Sequence, residues 1–550
     1  MPATVYRRTP GVYVTELSAF PPSIVGVQTA VPAFIGYTKK AEISGKPVFM
    51  KPIKIGSMVD FVEIFGKEYD PVYQIQEVTD QPKIKNHEYD FQVVEPPTQP
   101  TTPPPYPIPN GTTKYFNLVF PTGSTKFNLY NSLRLFYANG GGNCFVVSVG
   151  TYEGTTSISK EKLLEGLGVI KEQVGPTMLV VPDAVLLAPT GGKEPGWVSA
   201  DFQAVTRRML EQSAELKDRM AILDVYGTPL ATKDNYEDII NRFREDVGEA
   251  GLSYGAGYFP FLATTVIPID DFDYTNITGV TGGTPLSEIL TWQAANLYNG
   301  GYLPGADQGT KRYLAVKADI DAMATTTTEP GITKLNNNLM ASLPLLKDML
   351  RIMIAKESIL PPSGAMAGIY TYNDATRGVW NAPANLTLSG VDRTTFKLND
   401  EQQGEMNVPV NGKAVDALRE FVGRGVVVWG ARTLDGNSND NRYIQVRRTL
   451  ITVEQSIKLS LDKFVFAAND ANTWVTVVSM ISNYLQGFWS QGGLMGSTAQ
   501  EAFSVQCGLG STMTPMDVLE GYMIVQVTLQ MIRPAEFIEL TFKQKMEGLG

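Results

Sequence analysis

Histidine is scarce in the 550-residue chain, which contains only His87, within the polar stretch KIKNHEYD. Multi-histidine zinc sites and Ser-His-Asp triads both depend on this residue type. A general base also needs an oriented partner, and a lone histidine in a polar stretch is more often a solvated loop residue. The sequence therefore predicts no histidine-based metal site and no histidine-dependent triad.

Two glycine-rich stretches could hold a phosphate group, but neither has the required arrangement. NGGGNC at Asn139–Cys144 precedes the strand-like CFVVSVG, whereas a dinucleotide fingerprint follows a strand and opens a helix. PTGGKEPG lacks both the glycine five residues before Gly192-Lys193 and the Ser or Thr after that lysine. We interpret both stretches as turns.

An acidic stretch, DDFDYTNITG at Asp270–Gly279, begins like a calcium loop. Counted from Asp271, the sixth position is Asn276 instead of glycine and the twelfth is Gly282 instead of glutamate. With no catalytic, metal or cofactor motif in a recognisable frame, we expect a protein that is not an enzyme and holds no cofactor or metal.

The composition is that of an ordinary globular protein, with 43% hydrophobic and 19% charged residues. The net charge of −10 and the lack of a basic cluster argue against a nucleic-acid partner. Two cysteines, Cys144 and Cys507, are expected to be buried free thiols, which fits assembly in a reducing compartment. No signal peptide or membrane span is predicted, so we expect a soluble protein.

Strand-like and helix-like segments alternate in the middle of the chain. Helical patterns at Ser157–Gly175 and Asp201–Arg219, and in NYEDIINRFREDVG, alternate with the strand-like TMLVVPDA and MAILDVYG. This alternation predicts an α/β domain with a mostly parallel sheet. SGAMAGIYTYND and GRGVVVWGARTL (Gly423–Leu434) are further strand candidates, the second as a buried parallel strand.

Two regions are predicted to interrupt this domain. Gly66 to about Ser124 is polar and contains EPPTQPTTPPPYPIPNG, and roughly Asp270 to Leu339 contains TNITGVTGGTP and ATTTTEPG. The proline-rich run is predicted to be extended and poorly packed, either as a surface insertion or as a ligand for a proline-recognition module. We interpret the second region as a loop-rich excursion.

The C-terminal part has a different pattern. Two helices are predicted from apolar residues at three- and four-residue spacing, which we interpret as core: Leu450, Val453, Ile457, Leu461 and Phe464 in the first, and Trp474, Val478, Ile481, Leu485 and Phe488 in the second. Met523–Ile532 and Ala535–Lys545 alternate as strands do. The last strand, like TPGVYVTEL near the start, has no partner nearby in the sequence, so it must pair within the molecule, fray, or join a neighbouring subunit.

The chain resembles the contractile-tail sheath proteins in six ordered blocks between Thr9 and Gln544. The first is TPGVYVTELSAFPPSIVGVQTAVPAFIGYT, and the later ones are NSLRLFYANGGGNCFVVSVG, PPSGAMAGIYTYNDATRGVWNAPAN, GRGVVVWGARTL, NRYIQVRRTLITVEQSI and RPAEFIELTFKQ. The resemblance implies a helical sheath of stacked rings around an inner tube. Contraction of that sheath would drive the tube into a target membrane.

The implied fold is a multidomain α/β and α+β protein whose terminal strand arms are exchanged between subunits. An outer α/β domain, subtilisin-like or Rossmann-like, would carry the insertions, and an inner α+β domain would lie nearest the tube. The expected segments are an N-terminal arm (1–22), the outer domain (23–66 and 125–435, with the excursion at 270–339), the proline-rich insertion (67–124), the inner domain (436–534) and a C-terminal arm (535–550).

The resemblance also assigns roles to individual residues. The exchanged strands would be Gly11, Val12, Tyr13, Val14, Thr15, Glu16 and Leu17 at one end, and Glu536, Phe537, Ile538, Glu539, Leu540, Thr541, Phe542 and Lys543 at the other. The segments next to the arms are the expected hinges, at Pro21, Pro22, Arg533 and Pro534. Because proline restricts the backbone, we expect these hinges to be defined pivots instead of flexible linkers. Candidate tube-facing residues are Trp474, Asn483, Gln486, Gln500 and Glu501.

The expected role is that of a structural, force-generating subunit of a phage-tail-like contractile injection particle. Its partners would be further copies of itself, the inner tube, baseplate and cap or terminator proteins, and a disassembly ATPase, without nucleic acid or direct membrane insertion. It would assemble in the bacterial cytoplasm and leave as part of the particle. The alternatives are the tail sheath of a phage virion, a non-contractile filament protein and an α/β hydrolase-like enzyme.

Overall fold

The computed structural model describes residues 24–96, 111–121, 123–190, 196–279, 283–298 and 308–539. The predicted N-terminal strand arm, Pro21, Pro22 and the last four residues of the C-terminal arm, Leu540–Lys543, lie outside the described residues. Within them the chain forms two compact units. The larger unit comprises Thr29–Arg377 and Asn381–Arg447, and the C-terminal unit comprises residues 24–28, Gly378–Trp380 and residues 448–539.

The strands of the described residues are numbered in chain order. They are β1 (Pro32–Thr38), β2 (Glu42–Ile43), β3 (Lys46–Pro47), β4 (Ile53–Ile55), β5 (Tyr73–Glu77), β6 (Phe91–Glu95), β7 (Thr112–Val119), β8 (Cys144–Thr151), β9 (Met178–Val180), β10 (Met220–Asp224), β11 (Gly255–Phe259), β12 (Leu262–Thr264), β13 (Ile277–Gly279), β14 (Ile359–Leu360), β15 (Val391–Thr394), β16 (Asp416–Phe421), β17 (Gly425–Val428), β18 (Phe503–Gln506) and β19 (Gln526–Leu529).

The α-helices are numbered in the same way. They are α1 (Met58–Phe65), α2 (Gln81–Lys85), α3 (Leu129–Ala138), α4 (Lys160–Lys171), α5 (Ala200–Leu216), α6 (Tyr236–Asp246), α7 (Leu286–Leu297), α8 (Gln308–Ala322), α9 (Glu329–Ser342), α10 (Pro344–Glu357), α11 (Ser363–Arg377), α12 (Asp400–Asn407), α13 (Ile444–Leu461), α14 (Ala471–Ser490), α15 (Ala499–Ala502) and α16 (Pro515–Leu519).

An eight-stranded sheet forms the centre of the larger unit, in the order β17-β16-β11-β10-β9-β1-β8-β4. Its six inner strands are parallel and its two edge strands are antiparallel. Alternate residues of β1 enter different cores, because Ile35 packs with α4 and α5 while Phe34 packs with α3 and α11. The predicted mostly parallel α/β sheet is confirmed, and β17 is antiparallel to β16, not parallel as predicted.

SGAMAGIYTYND forms most of helix α11, so the predicted strand is wrong. The first eight residues of α11 are all buried, and a helix buried on every side has no polar stripe to set it apart from a buried strand. Its glycines pack directly on α3. A Cβ at Gly364 would lie 2.5 Å from the Ser132 carbonyl oxygen, and one at Gly368 would lie 2.5 Å from the Phe136 carbonyl oxygen.

The two predicted insertions form one folded body. Strands from both regions make a four-stranded sheet in the order β13-β5-β7-β6. One face of this sheet and helices α7–α10 share a core that includes Phe116, Trp292 and Met349. The loop-rich prediction for 270–339 is therefore wrong, because α7, α8 and most of α9 lie in it. The apolar positions of these helices bury against strands more than 150 residues earlier, which local patterns do not reveal.

In the C-terminal unit, α13 and α14 pack with β18 and β19 around Val453, Val477, Ile481 and Leu485. Both predicted helices are confirmed. The predicted strand at Met523–Ile532 is present as the shorter β19, and its alternation is as expected. Val525, Val527, Leu529 and Met531 pack towards the core, while Gln526, Thr528 and Gln530 are exposed. None of the helices in the described residues is long and apolar enough to cross a membrane.

Candidate inter-subunit surface

A two-stranded antiparallel sheet, β18 and β19, is the main candidate site for strand addition. Phe503 pairs with Leu529 and Gln506 with Gln526, so the register is fixed over four residues. One isolated bridge, Leu494 to Met531, extends the pairing beyond β19. An isolated two-stranded sheet has little stability in water, and an unpaired edge offers N–H and C=O groups to another strand.

Both strands of this sheet are edge strands in the part of the chain that the structure describes. Each therefore has one side on which a further strand could add. The sequence patterns predict β19 but not its partner β18. The alternation Phe503-Ser504-Val505-Gln506, half-buried and exposed in turn, is the signal that could have identified it.

Local capping holds the segments around the sheet. Thr498 and Glu501 form a capping box at α15, and the Glu501 carboxylate accepts hydrogen bonds from the Ser497 and Thr498 N–H groups at 2.8 and 3.3 Å. Thr514 and Asp517 form another at α16, and hydrogen bonds from Thr514 lower the pKa of Asp517. Glu501, a predicted tube-facing residue, is thus part of a helix cap.

The other predicted tube-facing residues do not share one environment. Asn483 and Gln486 are exposed and lie three residues apart on α14, which places them on neighbouring parts of its surface, and Gln500 is exposed on α15. Trp474 is half-buried, and its indole N–H donates to Asn469 Oδ1 at 2.7 Å. Of the five predicted tube-facing residues, all except Trp474 are exposed in the described chain.

The C-terminal arm is described as far as Glu539 and forms no strand there. Phe537 and Ile538 are 77% and 79% exposed. Of the predicted hinge residues next to it, Arg533 is exposed and Pro534 is half-buried. Both are large apolar side chains that the described residues leave exposed.

The C-terminal unit exposes many large apolar residues besides these. They are Leu459, Val465, Phe466, Val475, Met495, Leu509, Met516, Leu519, Tyr522 and Ile524. Phe466 is fully exposed and has a φ of 67°, a left-handed conformation that is rare for a bulky residue. No sequence pattern indicates the Phe466 conformation.

α/β enzymes bind their ligands at the carboxyl ends of the parallel strands. Here two aspartates at these ends accept hydrogen bonds from other parts of the chain. Asp224 ends β10 and accepts hydrogen bonds from Ser363 N at 2.7 Å and Ser363 Oγ at 2.6 Å, at the start of α11. Asp183 follows β9 and accepts from Tyr37 N at 2.9 Å and Asn128 N at 2.7 Å. Burial raises the pKa of Asp224 to about 7 and that of Asp183 to about 6.

The remaining residues considered for chemistry have ordinary surroundings. His87 is exposed, with a φ of 58° and its Nδ1 3.3 Å from Tyr89 Oη. Cys144 is buried as expected, whereas Cys507 is only half-buried and not a core residue. Asp273 caps a short turn by accepting from Thr275 N at 2.7 Å. No cluster of three or more potential metal ligands occurs among the described residues.

Residues 437–545 match the family model described as the phage tail sheath C-terminal domain. This range contains α13–α16, β18 and β19. The C-terminal part of the chain therefore matches a phage tail sheath domain, in agreement with the predicted resemblance to the contractile-tail sheath proteins. No curated protein matches the chain.

Three solved structures are similar over nearly the whole chain. The PVC sheath complex of an extracellular contractile injection system, in the contracted state, has a TM-score of 0.54 at 24% identity over 98% of this chain and 99% of that chain. The helical sheath of the anti-feeding prophage, also contracted, has a TM-score of 0.55 at 24% identity, covering 98% and 100%. The baseplate of the anti-feeding prophage has a TM-score of 0.53 at 24% identity, with the same coverage.

Proposed function

We propose that the chain is the force-generating subunit of a contractile sheath that polymerises helically around an inner tube. The observation that carries this proposal is a phage tail sheath C-terminal domain whose small sheet, in the described part of the chain, has two unpaired edges. Such an edge suits a polymer built by head-to-tail contacts, because a strand from one subunit can add to the sheet of the next. Contraction would drive the tube into a target membrane.

In this proposal the arms Gly11–Leu17 and Glu536–Lys543 pair with the edges of β18 and β19 in neighbouring subunits. The exposed Ile538 supports the assignment, since a strand added to a sheet with one packed face would bury alternate side chains. The residues flanking the arms, including Arg533 and Pro534, would act as pivots. The candidate tube-facing residues remain Trp474, Asn483, Gln486, Gln500 and Glu501, of which all but Trp474 are exposed.

We assign the inner domain to residues 436–534, and the outer domain to the parallel-sheet body with helices on both faces. The comparison with a subtilisin-like or Rossmann-like core rests on that layering alone. The hydrogen bonds that tie Asp183 and Asp224 to helix starts favour a structural role over the hydrolase alternative. A non-contractile filament protein, the other alternative, would assemble by the same contacts but would not shorten.

The setting we favour is a phage-tail-like contractile injection particle, assembled in the bacterial cytoplasm and released. The similar structures that extend over nearly the whole chain, insertions included, come from an extracellular contractile injection system and from the anti-feeding prophage. Further copies of the chain, a tube protein, a baseplate, a cap or terminator and a disassembly ATPase would be its partners. A phage virion is the alternative setting.

Deletion of residues 1–17 tests the proposal. We expect a folded protein that forms no long sheaths when it is co-expressed with its tube, because one arm per subunit is missing. The same result is expected for Val14→Pro, since proline removes a ladder hydrogen bond, whereas Val14→Ile should assemble normally. Sheaths of normal length by negative-stain microscopy in the deletion variant would contradict the strand-exchange assignment.

A further inference from the structure

An apolar groove of about 380 Å³ crosses the larger unit between α6, α12 and the segment that follows α12. Ile240 and Met406 form its buried floor. Val408 is 54% exposed and Val410 is completely exposed beside it, and Pro409 lies between them. Exposed aliphatic side chains that border a groove indicate a binding surface rather than scattered surface residues.

Hydrogen bonds hold the walls of this groove in place. The buried Arg244 side chain donates from Nε to the Lys413 carbonyl at 3.0 Å, from Nη1 to Asn241 Oδ1 at 2.9 Å, and from Nη2 to the Glu405 carbonyl at 2.9 Å. It thereby fastens α6 to the end of α12. The groove is therefore preformed. Arg244 lines it, but its side chain already donates hydrogen bonds to oxygen atoms of the same chain.

The exposed charges of the groove are negative. Glu237 on α6 and Glu405 on α12 line it, and both are exposed, while Tyr236 donates its hydroxyl to Glu237 at 2.8 Å. No lysine is among the described residues that line the groove. Its occupant should therefore present an apolar side chain next to positive charge.

One segment of the chain outside the described residues has this composition. Residues 4–8 read TVYRR, and no acidic residue occurs before Glu16. The described chain begins at Ile24, which packs in the C-terminal unit, where Val27 N donates to Ser456 Oγ at 3.1 Å. Fifteen residues lie between Arg8 and Ile24, and this length of chain can span about 55 Å when extended, enough to reach a second subunit.

We propose that the groove binds residues 4–8 of a neighbouring copy of the chain, with Tyr6 over the apolar floor and Arg7 and Arg8 against Glu237 and Glu405. This inference rests on the proposed sheath function and adds a second contact ahead of the strand arm.

Charge exchange tests the pairing. Arg7→Glu/Arg8→Glu and Glu237→Arg/Glu405→Arg should each shorten sheaths severalfold in negative-stain images, and combining the four changes should restore most of the length. The matched control is Asp238→Arg/Glu401→Arg, which reverses two exposed carboxylates on the same helices outside the groove and should leave the length unchanged. Normal sheaths in both double variants, or no recovery in the combination, would overturn the proposal.

Disulfide trapping identifies which copy supplies the segment. Tyr6→Cys/Val410→Cys, in a Cys507→Ser background, should give a ladder of linked chains on non-reducing gels of assembled sheaths. Cys144 can remain, because burial raises the pKa of its thiol to about 12. The single-cysteine variants should give no ladder. A bond within one chain, or none, overturns the proposal.

The proposed sheath function and the groove contact can be tested separately. If the wild-type chain forms no sheath with its tube protein, the proposed function is wrong and the groove contact with it. If wild-type sheaths form and contract while the charge variants and the trapped pair behave like the wild type, only the groove contact is wrong. Thermal unfolding of each variant shows whether lost assembly reflects lost folding.

Discussion

Close packing at single glycines sets the approach of α11 to α3. A Cβ at Gly368 would lie 2.5 Å from the Phe136 carbonyl oxygen and 2.8 Å from the Asn139 Cβ. Two helix backbones can come this close only where no side chain intervenes. The Gly364-xxx-Gly368 spacing places both glycines on one face of α11, against consecutive turns of α3.

Gly368→Ala is predicted to lower the free energy of unfolding by about 1–3 kcal/mol, because the added methyl group would press on backbone atoms. Chemical denaturation of the variant and the wild type measures this difference. Gly404→Ala is the control. Gly404 lies within α12, and a Cβ added there would meet no atom within 4 Å, so alanine should be neutral or stabilising by about 0.5–1 kcal/mol. Equal effects would contradict the packing argument.

The buried Asp224 carboxyl predicts a pH dependence of stability. Burial raises its pKa from 3.8 to about 7 in the folded chain, so between these values the folded state holds a proton that the unfolded state has lost. Its contribution to stability is full below about pH 4 and is lost as the pH rises through about 7, on the order of 1.4 kcal/mol per pH unit.

Asp224→Asn should remove this slope, since the amide does not titrate. The measurement is the difference in free energy of unfolding between the variant and the wild type from pH 4 to 9, which should move in favour of the variant and level off above about pH 7. Asp234→Asn, at an exposed carboxylate, should show no such trend. A flat difference for Asp224→Asn would count against the raised pKa.

At the scale of elements, the insertion body joins distant parts of the chain through one core. Phe116 on β7 is fully buried against the cluster that contains α7–α10, although α7 begins 170 residues later. Tyr115, the preceding residue, is half-buried and belongs to the opposite face of the sheet. The stability of α7–α10 should therefore depend on β7.

Phe116→Ala is predicted to destabilise this body by about 3–5 kcal/mol, the usual cost of emptying a buried aromatic position. Hydrogen exchange followed by mass spectrometry should show faster exchange in residues 286–353, with little change in the eight-stranded sheet. Tyr115→Ala, on the other face, should change exchange in that range far less. Matching exchange in the two variants would mean that the shared core does not couple the regions.

Sequence patterns are informative where an element is long and amphipathic. The helices α4, α5, α13 and α14 and the alternation of β19 are all predicted from spacing. Prediction fails for α11, which is buried along its first two turns, and for the insertion body, whose partners are far apart in the chain. The groove at Tyr236–Val410 and the conformation of Phe466 depend on tertiary positions that no local pattern records.

At the scale of the whole molecule, the energy for movement would reside in subunit packing. Under the proposed function, each subunit passes between two arrangements that differ by a few kcal/mol, the usual gap of two-state elements, and many subunits act together. No catalytic constellation is needed for this work. Contraction would therefore not require nucleotide binding or hydrolysis.

Assembled sheaths are accordingly predicted to shorten in urea below the concentration that unfolds the subunit, with apyrase and EDTA present. Electron microscopy before and after treatment measures the change in length, and sheaths fixed beforehand with glutaraldehyde serve as the control that should stay long. Shortening that occurs only after ATP is added would refute the packing mechanism and reopen the enzymatic interpretation.

The hairpin of β6 and β7 has a practical consequence. Glu95 and Thr112 are paired residues of adjacent strands, so the chain leaves and re-enters the sheet at points about 5 Å apart. A guest domain whose own termini lie side by side could replace the connection between them and leave both strands in register. Under the proposed function, every subunit of the sheath would then carry one copy of the guest.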